Sequence, residues 1–209
     1  MAKHPEPGRV KTRLAAAFGA ERACALYRAF VLDLAERLRT LPYAVTWAFW
    51  PAAAPFADVL PGVRCRPQRG RDLGERLAGA VAAAFAEAPG PVLVIGADAP
   101  HVPAESLAEA ARALGGTADV VLGPAEDGGY YLIGLREPAD LFAGIAWSTP
   151  SVLAATRGRA ERLGLRTHLL PPSFDVDEPA DLLRLRALLD RGDACLPRTA
   201  ALLAAAPRP

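Results

Sequence analysis

Apolar side chains at Ala23, Leu26, Tyr27, Phe30, Leu34, Leu38 and Leu41 recur every three or four residues, the spacing that gathers one face of a helix. The pattern predicts a long helix over residues 21–41, followed by Pro42. "YAVTWAFW" (43–50) is rich in aromatic and branched residues and reads as a strand, with "GVRCR" (62–66) a shorter one. A helix follows over 73–88 and stops at "PGP". "VLVIGAD" (92–98) is a continuous apolar run between turn residues, the mark of a strand buried on both faces of a parallel sheet. Beyond it the pattern gives a helix near 104–114, strands in "ADVVLGP" and "GGYYLIGL", and helices near 151–164 and 179–191 flanking a last strand, "RTHLL". The segment after Cys195 reads as a short terminal helix. Strands alternating with helices predict an α/β fold, a mostly parallel sheet with helices on both faces.

At 209 residues the chain is read as one domain, 1–209, long enough to bury a core without metal or disulfide. Cys24, Cys65 and Cys195 are odd in number and far apart, with no zinc spacing, so a reducing cytoplasm is the expected location. The longest alanine-rich run is too short to span a bilayer, and no signal-type stretch follows the charged start.

Charge changes the picture at one place. The first thirteen residues hold Lys3, Arg9, Lys11 and Arg13 against Glu6 alone, in a chain of 24 cations and 23 anions. Ligands of open α/β sheets sit beyond the carboxyl ends of strands. The polar residues there are Arg69–Asp72, Asp98, Glu126 and Asp127, and Asp175 and Asp177. Basic loops facing acidic ones suggest a polyphosphate bridged to the protein by a divalent cation. In the opening loop, the backbone near Gly8, the helix start beyond it, and Arg9, Lys11 and Arg13 suit phosphate, with Pro5 and Pro7 stiffening the approach. A solvated basic terminus is the equal alternative. The stretch is not a P-loop, since Val10 precedes Lys11 and position 6 is Glu6.

Asp98 and Asp177 are hard oxygen ligands suited to Mg²⁺ or Mn²⁺; each is also a candidate helix cap. In "AEDGGYYLIGL", Gly128 and Gly129 permit close backbone approach beside Asp127, although a tight hairpin explains them as well. Tyr130 and Tyr131 point to opposite faces, so one at most lines a pocket there. Gly70 and Gly74 free the backbone around Asp72, itself a candidate cap for the next helix. His101 is a possible metal or acceptor ligand, with an ordinary loop histidine the simpler reading.

"AKHPEPGRVKTRLA", "RDLGERL", "GADAP", "GPAEDGGYYLIGL" and "DVDEPADL", in that order, resemble the bacterial glycosyltransferase-A-like transferases called radical-SAM/selenodomain-associated transferase 1. More distantly, the chain is similar to molybdenum-cofactor guanylyltransferase, phospholactate guanylyltransferase and the CMP-sugar synthetases. The resemblance covers nearly the whole chain and implies a three-layer nucleotide-diphosphosugar-transferase (GT-A, Rossmann-like) fold. It implies that Pro7, Gly8, Arg9, Lys11 and Arg13 hold phosphates, that Asp98 and Asp177 hold the metal, and that Gly70, Asp72 and Leu73 lie near the base. Asp127, Gly128, Gly129 and Tyr130 are then the acceptor side.

Two reactions remain open. Nucleotidyl transfer from an NTP needs positioning and charge neutralisation, for which Lys11 and Arg13 are the candidates. Three cations in one loop favour it narrowly. Glycosyl transfer from an NDP-sugar would use a carboxylate base, with Asp127 the candidate. A nucleotide-binding protein without turnover is the third reading. The expected partners are a nucleotide and a small acceptor, not nucleic acid or membrane. "MAKHPEP" offers little to a central strand, because two prolines lack a donor and apolar residues are few. The first strand is therefore expected to be missing or badly shortened, with the true start upstream or the opening residues pairing only briefly.

Overall fold

A computed structural model describes residues 1–205. In chain order its elements are β1 (Ala2–Lys3), α1 (Thr12–Phe18), α2 (Ala20–Arg39), β2 (Trp47–Trp50), β3 (Cys65–Pro67), α3 (Leu73–Glu87), β4 (Val92–Ile95), α4 (Ala104–Gly115), β5 (Val120–Pro124), β6 (Tyr130–Leu135), α5 (Val152–Arg162), β7 (Thr167–Leu169), α6 (Pro179–Asp190) and α7 (Pro197–Ala204). The predicted elements are present, with most strands shorter than their patterns, chiefly at the N-terminal side, and β3 shifted to end at Pro67. A 3-10 turn at Phe56–Asp58 lies where the pattern predicts no element. Among the described residues, no helix is long and apolar enough to cross a membrane.

The chain divides into two compact units. The first comprises Met1–Pro67, Ala97–Val102 and the C-terminal segment from Val176. Its sheet is parallel, in the order β1-β2-β3, with Lys3 opposite Trp50 and Trp47 opposite Cys65. β1 is only two residues long. It pairs with β2 on one side, and on the other Met1 accepts a backbone bond from Ala97 at 3.1 Å. The predicted stripe of α2 is the buried face, with Leu26, Tyr27, Phe30, Leu34 and Leu38 all under a tenth exposed. Phe49 of β2 stacks on Phe56, ring centroids 5.1 Å apart. Gly19, at φ 86°, separates α1 from α2.

One polar residue interrupts the α2 stripe inside the core. Asp33 is buried and accepts from the backbone N–H of Arg198 (3.1 Å) and Thr199 (2.9 Å) and from the Thr199 hydroxyl (2.8 Å). These are donors of the first turn of α7, which a helix cannot satisfy itself. Pro197 occupies the first position of α7 and has no N–H to satisfy.

The second unit comprises Gln68–Gly96 and Pro103–Asp175. Its sheet has the order β4-β6-β5-β7, with β6 antiparallel to both neighbours and β7 parallel to β5. The β5–β6 hairpin makes this sheet mixed. The apolar run ending in β4 is not buried on both faces, as its pattern predicts. β4 pairs antiparallel with β6, and its four residues are partly exposed. The strands that fill the core are β5 and β6, where Val120, Val121, Leu122, Leu132 and Leu135 are fully buried.

Candidate functional site

The first unit gathers three loops on one lysine. Lys11 precedes α1 with Val10 and Leu14 buried on either side of it in sequence. Its backbone is left-handed, φ 47° and ψ 49°, a region that side chains other than those of Gly, Asn and Asp seldom enter. The side chain turns inward, only 2% exposed. Its ammonium donates to Asp98 Oδ1 and, at 2.9 Å, to Asp177 Oδ1. The rings of Tyr27 and Phe30 lie 5.6 and 5.8 Å from Nζ. The two carboxylates are 48% and 44% exposed, so the lysine is enclosed while its partners face outward.

Local structure explains the carboxylates. Asp98 follows β4 in sequence, and its carbonyl accepts from Val176 N–H at 2.9 Å, which ties its loop to that of Asp177. Neither Asp175 nor Asp177 caps α6. Glu178 is the N-cap and forms a capping box with Asp181, whose carboxylate accepts from the N–H groups of Asp177 (3.0 Å) and Glu178 (2.8 Å). That leaves the Asp177 carboxylate to Lys11. Asp175 belongs to the second unit.

Lys3, Lys11, Arg13, Tyr27, Asp98 and Asp177 line a cleft of about 190 Å³. This is below the roughly 300–1,000 Å³ of a pocket that encloses a drug-sized molecule, and suits a phosphate group more than a whole nucleotide. Burial opposes the charge on Lys11, but Asp98 and then Asp177 outweigh it and hold its pKa above 10.5. Desolvation opposes ionisation of Asp98, but Lys11 and then Lys3 pull its pKa below 3.8. Burial first, then Asp98, pushes the Tyr27 phenol well above 10; its oxygen accepts from Lys3 N–H at 2.9 Å.

Arg9 and Arg13 behave differently from Lys11. Residues 6–9 form a turn closed by Arg9 N–H on Glu6 O at 3.0 Å, with Pro7 second and Gly8 third at φ 75°, the positions a type II turn gives to proline and glycine. The Arg9 side chain is 73% exposed and pairs with Glu6 at 3.2 Å. Arg13 is 70% exposed and reaches Glu178 at 3.4 Å. His101 is buried, and burial followed by Arg37 and Arg184 lowers its pKa to about 4, so it is neutral.

The other predicted residues lie in the second unit. Asp72 is the N-cap of α3, accepting from Glu75 N–H at 2.9 Å. A side chain at Gly70 would meet Glu75 Cβ at 2.6 Å, so this glycine is needed for packing. Leu73 is exposed. Asp127 is exposed and accepts from Gly129 N–H at 2.8 Å inside the β5–β6 turn. Gly128 has φ 88°, and a Cβ there would lie 2.0 Å from the Pro150 carbonyl. The backbone conformation and the Pro150 contact thus require glycine at 128. The Tyr130 ring meets Trp147 edge-on at 6.5 Å. Sequence reasoning did not assign Lys3, Tyr27, Phe30 or Glu178 to the site. Tyr27 and Phe30 sit within an ordinary core stripe, and nothing in that stripe marks them.

The chain has the nucleotide-diphospho-sugar-transferase fold. Over 97% of its length it superposes on 91% of a Desulfovibrio desulfuricans protein provisionally named a nucleotide-diphospho-sugar transferase, with TM-score 0.89 and 36% identity. A 4-diphosphocytidyl-2C-methyl-D-erythritol synthase shares the fold at TM-score 0.55 and 21% identity, over 78% of this chain and 88% of that one. No curated protein is significantly similar in sequence. Residues 31–149 match the family described as an uncharacterized protein conserved in bacteria (DUF2064), and the chain belongs to that family.

Proposed function

We propose that the protein is a metal-dependent, nucleotide-binding transferase whose reaction is nucleotidyl transfer from an NTP to a small phosphorylated or hydroxyl acceptor. The observation that carries this reading is the cleft where two outward-facing carboxylates meet Lys11, with Lys3 and Arg13 beside them. Among the described residues, no cluster of three or more His, Cys, Asp or Glu gathers, so a site made entirely of protein ligands is not the model. Mg²⁺ or Mn²⁺ held by one or two carboxylates, with phosphate and water completing its shell, fits this donor set. Asp98 and Asp177 would hold the ion. Once bound, it would supply charge neutralisation at the phosphates.

The chain's own residues do the rest by position. Arg9 in the turn and Arg13 in the first turn of α1, both exposed, offer planar donors that can take two phosphate oxygens each. Lys3 and Lys11 add positive charge where the leaving pyrophosphate would gain negative charge. In-line attack on the α-phosphate needs no protein nucleophile.

Glycosyl transfer is the second reading, favoured by the name of the 36% identical relative. Asp127 would then be the acceptor base. Product analysis separates the two. The protein is incubated with Mg²⁺, a mixture of small phosphorylated and hydroxyl acceptors, and in turn each of the four NTPs or UDP- and GDP-sugars. Pyrophosphate release with an NMP-bearing product is the expected outcome. Release of NDP from a sugar donor would replace the first reading with the second, and consumption of neither would overturn both.

A further inference from the structure

Lys11 is built unlike the other cations of its loop. Arg9 and Arg13 are exposed, each beside one exposed carboxylate. The Lys11 ammonium is enclosed by two rings and is in contact with two carboxylates, on a backbone conformation unusual for lysine. An ammonium is a compact point charge with three donors, so one such group can serve two acceptors at once. A divalent ion held jointly by Asp98 and Asp177 would draw on the same facing Oδ1 atoms that the ammonium now holds. Two cations do not share that space.

We propose that Lys11 is the resident counter-ion of the Asp98–Asp177 pair, competing with free divalent cation, and that it is a positioning residue which moves onto phosphate when metal and polyphosphate enter together. This rests on the reading of the cleft as a metal–phosphate site and goes beyond it, because it makes metal binding conditional on the anion. With Lys3, Lys11 and Arg13 against Asp98 and Asp177, the lining of the cleft carries one excess positive charge, which disfavours a free divalent ion and favours an anion. An incoming phosphate gives the displaced ammonium a new partner. By linkage, whatever phosphate does for metal affinity, metal does for phosphate affinity. The protein is thereby kept from filling its site with metal alone.

The test is Mn²⁺ binding, followed by the resonance of the free ion, with no nucleotide present. Parent, Lys11→Gly and Lys11→Met are compared. Glycine suits the left-handed backbone and methionine keeps a stem against Tyr27 and Phe30, so one of the two is expected to fold as the parent does. The parent should bind Mn²⁺ only at roughly millimolar Kd or weaker. Removing the lysine should tighten binding by about tenfold or more, and adding Asp98→Asn to Lys11→Gly should abolish the gain. A lysine that merely braces the carboxylates would give weaker binding when removed, and a pure phosphate anchor would give no change; either result overturns the proposal. So does micromolar binding by the parent, which needs no variant to measure. NTP and NDP-sugar binding are measured separately. If neither binds, the functional reading fails, while the nucleotide-free comparison still decides the role of Lys11.

Discussion

At the scale of single residues, Lys11 is a buried charge, whereas Arg9 and Arg13 are exposed ones. Phosphate contacts from Arg13 should be charge-assisted, each worth about 1.5–3 kcal/mol. Arg13→Ala should therefore weaken NTP binding about tenfold or more by calorimetry, and affect NMP less. Equal losses for NTP, NDP and NMP would show that the loop does not read the phosphate chain. The ion pair beneath them has a defined pH window. The Asp98 pKa is lowered, so its contribution to stability is present above 3.8 and lost as pH falls through the lower folded value. The Lys11 pKa is raised, so its contribution is present below 10.5 and lost only at higher pH. The difference in melting temperature between parent and Lys11→Met should stay constant from about pH 5 to 9. A difference that vanishes near neutrality would contradict the pairing. Asp72 gives a cleaner discrimination. As a cap alone, Asp72→Ala costs about 1 kcal/mol of stability and leaves nucleotide affinity intact. If it reads the base, affinity falls as well.

Among the elements, α7 depends on a partner contributed by α2. Asp33 caps its first turn from within the core, and the side chain has no exposure. Asp33→Ala would leave the buried N–H and hydroxyl of Thr199 without an acceptor, each costing about 1–3 kcal/mol. The expected loss is about 2–4 kcal/mol in denaturant unfolding, with hydrogen exchange rising first in α7. Asp33→Asn, which keeps one acceptor, should lose less. Unchanged exchange in α7 would sink this account. The helices were legible in the sequence because each exposes one face, and three-and-four spacing records that face directly. Which strands lie inside was not legible. "VLVIGAD" and "ADVVLGP" are equally apolar, yet the first forms a partly exposed strand beside β6 and the second a buried strand between β6 and β7. Apolarity reports burial, whereas pairing partners are set by chain segments far away.

For the molecule as a whole, the candidate site was legible as chemistry and illegible as geometry. Acids after strands and cations before a helix pointed to Asp98, Asp177, Lys11 and Arg13, and the first unit brings these four to one cleft. That Lys11 turns inward to join both acids could not be read, because it depends on a left-handed backbone at a residue type that rarely adopts one. The rings of Tyr27 and Phe30 were equally hidden in a core stripe. The most direct test is calorimetric titration of each of the four NTPs into parent and Asp98→Asn, with and without Mg²⁺. Binding by the parent should require Mg²⁺, and Asp98→Asn should lose that binding while its nucleotide-free melting temperature stays within about 5 °C of the parent. Mg²⁺-dependent binding of equal affinity in the two proteins would contradict a metal–phosphate site at Asp98.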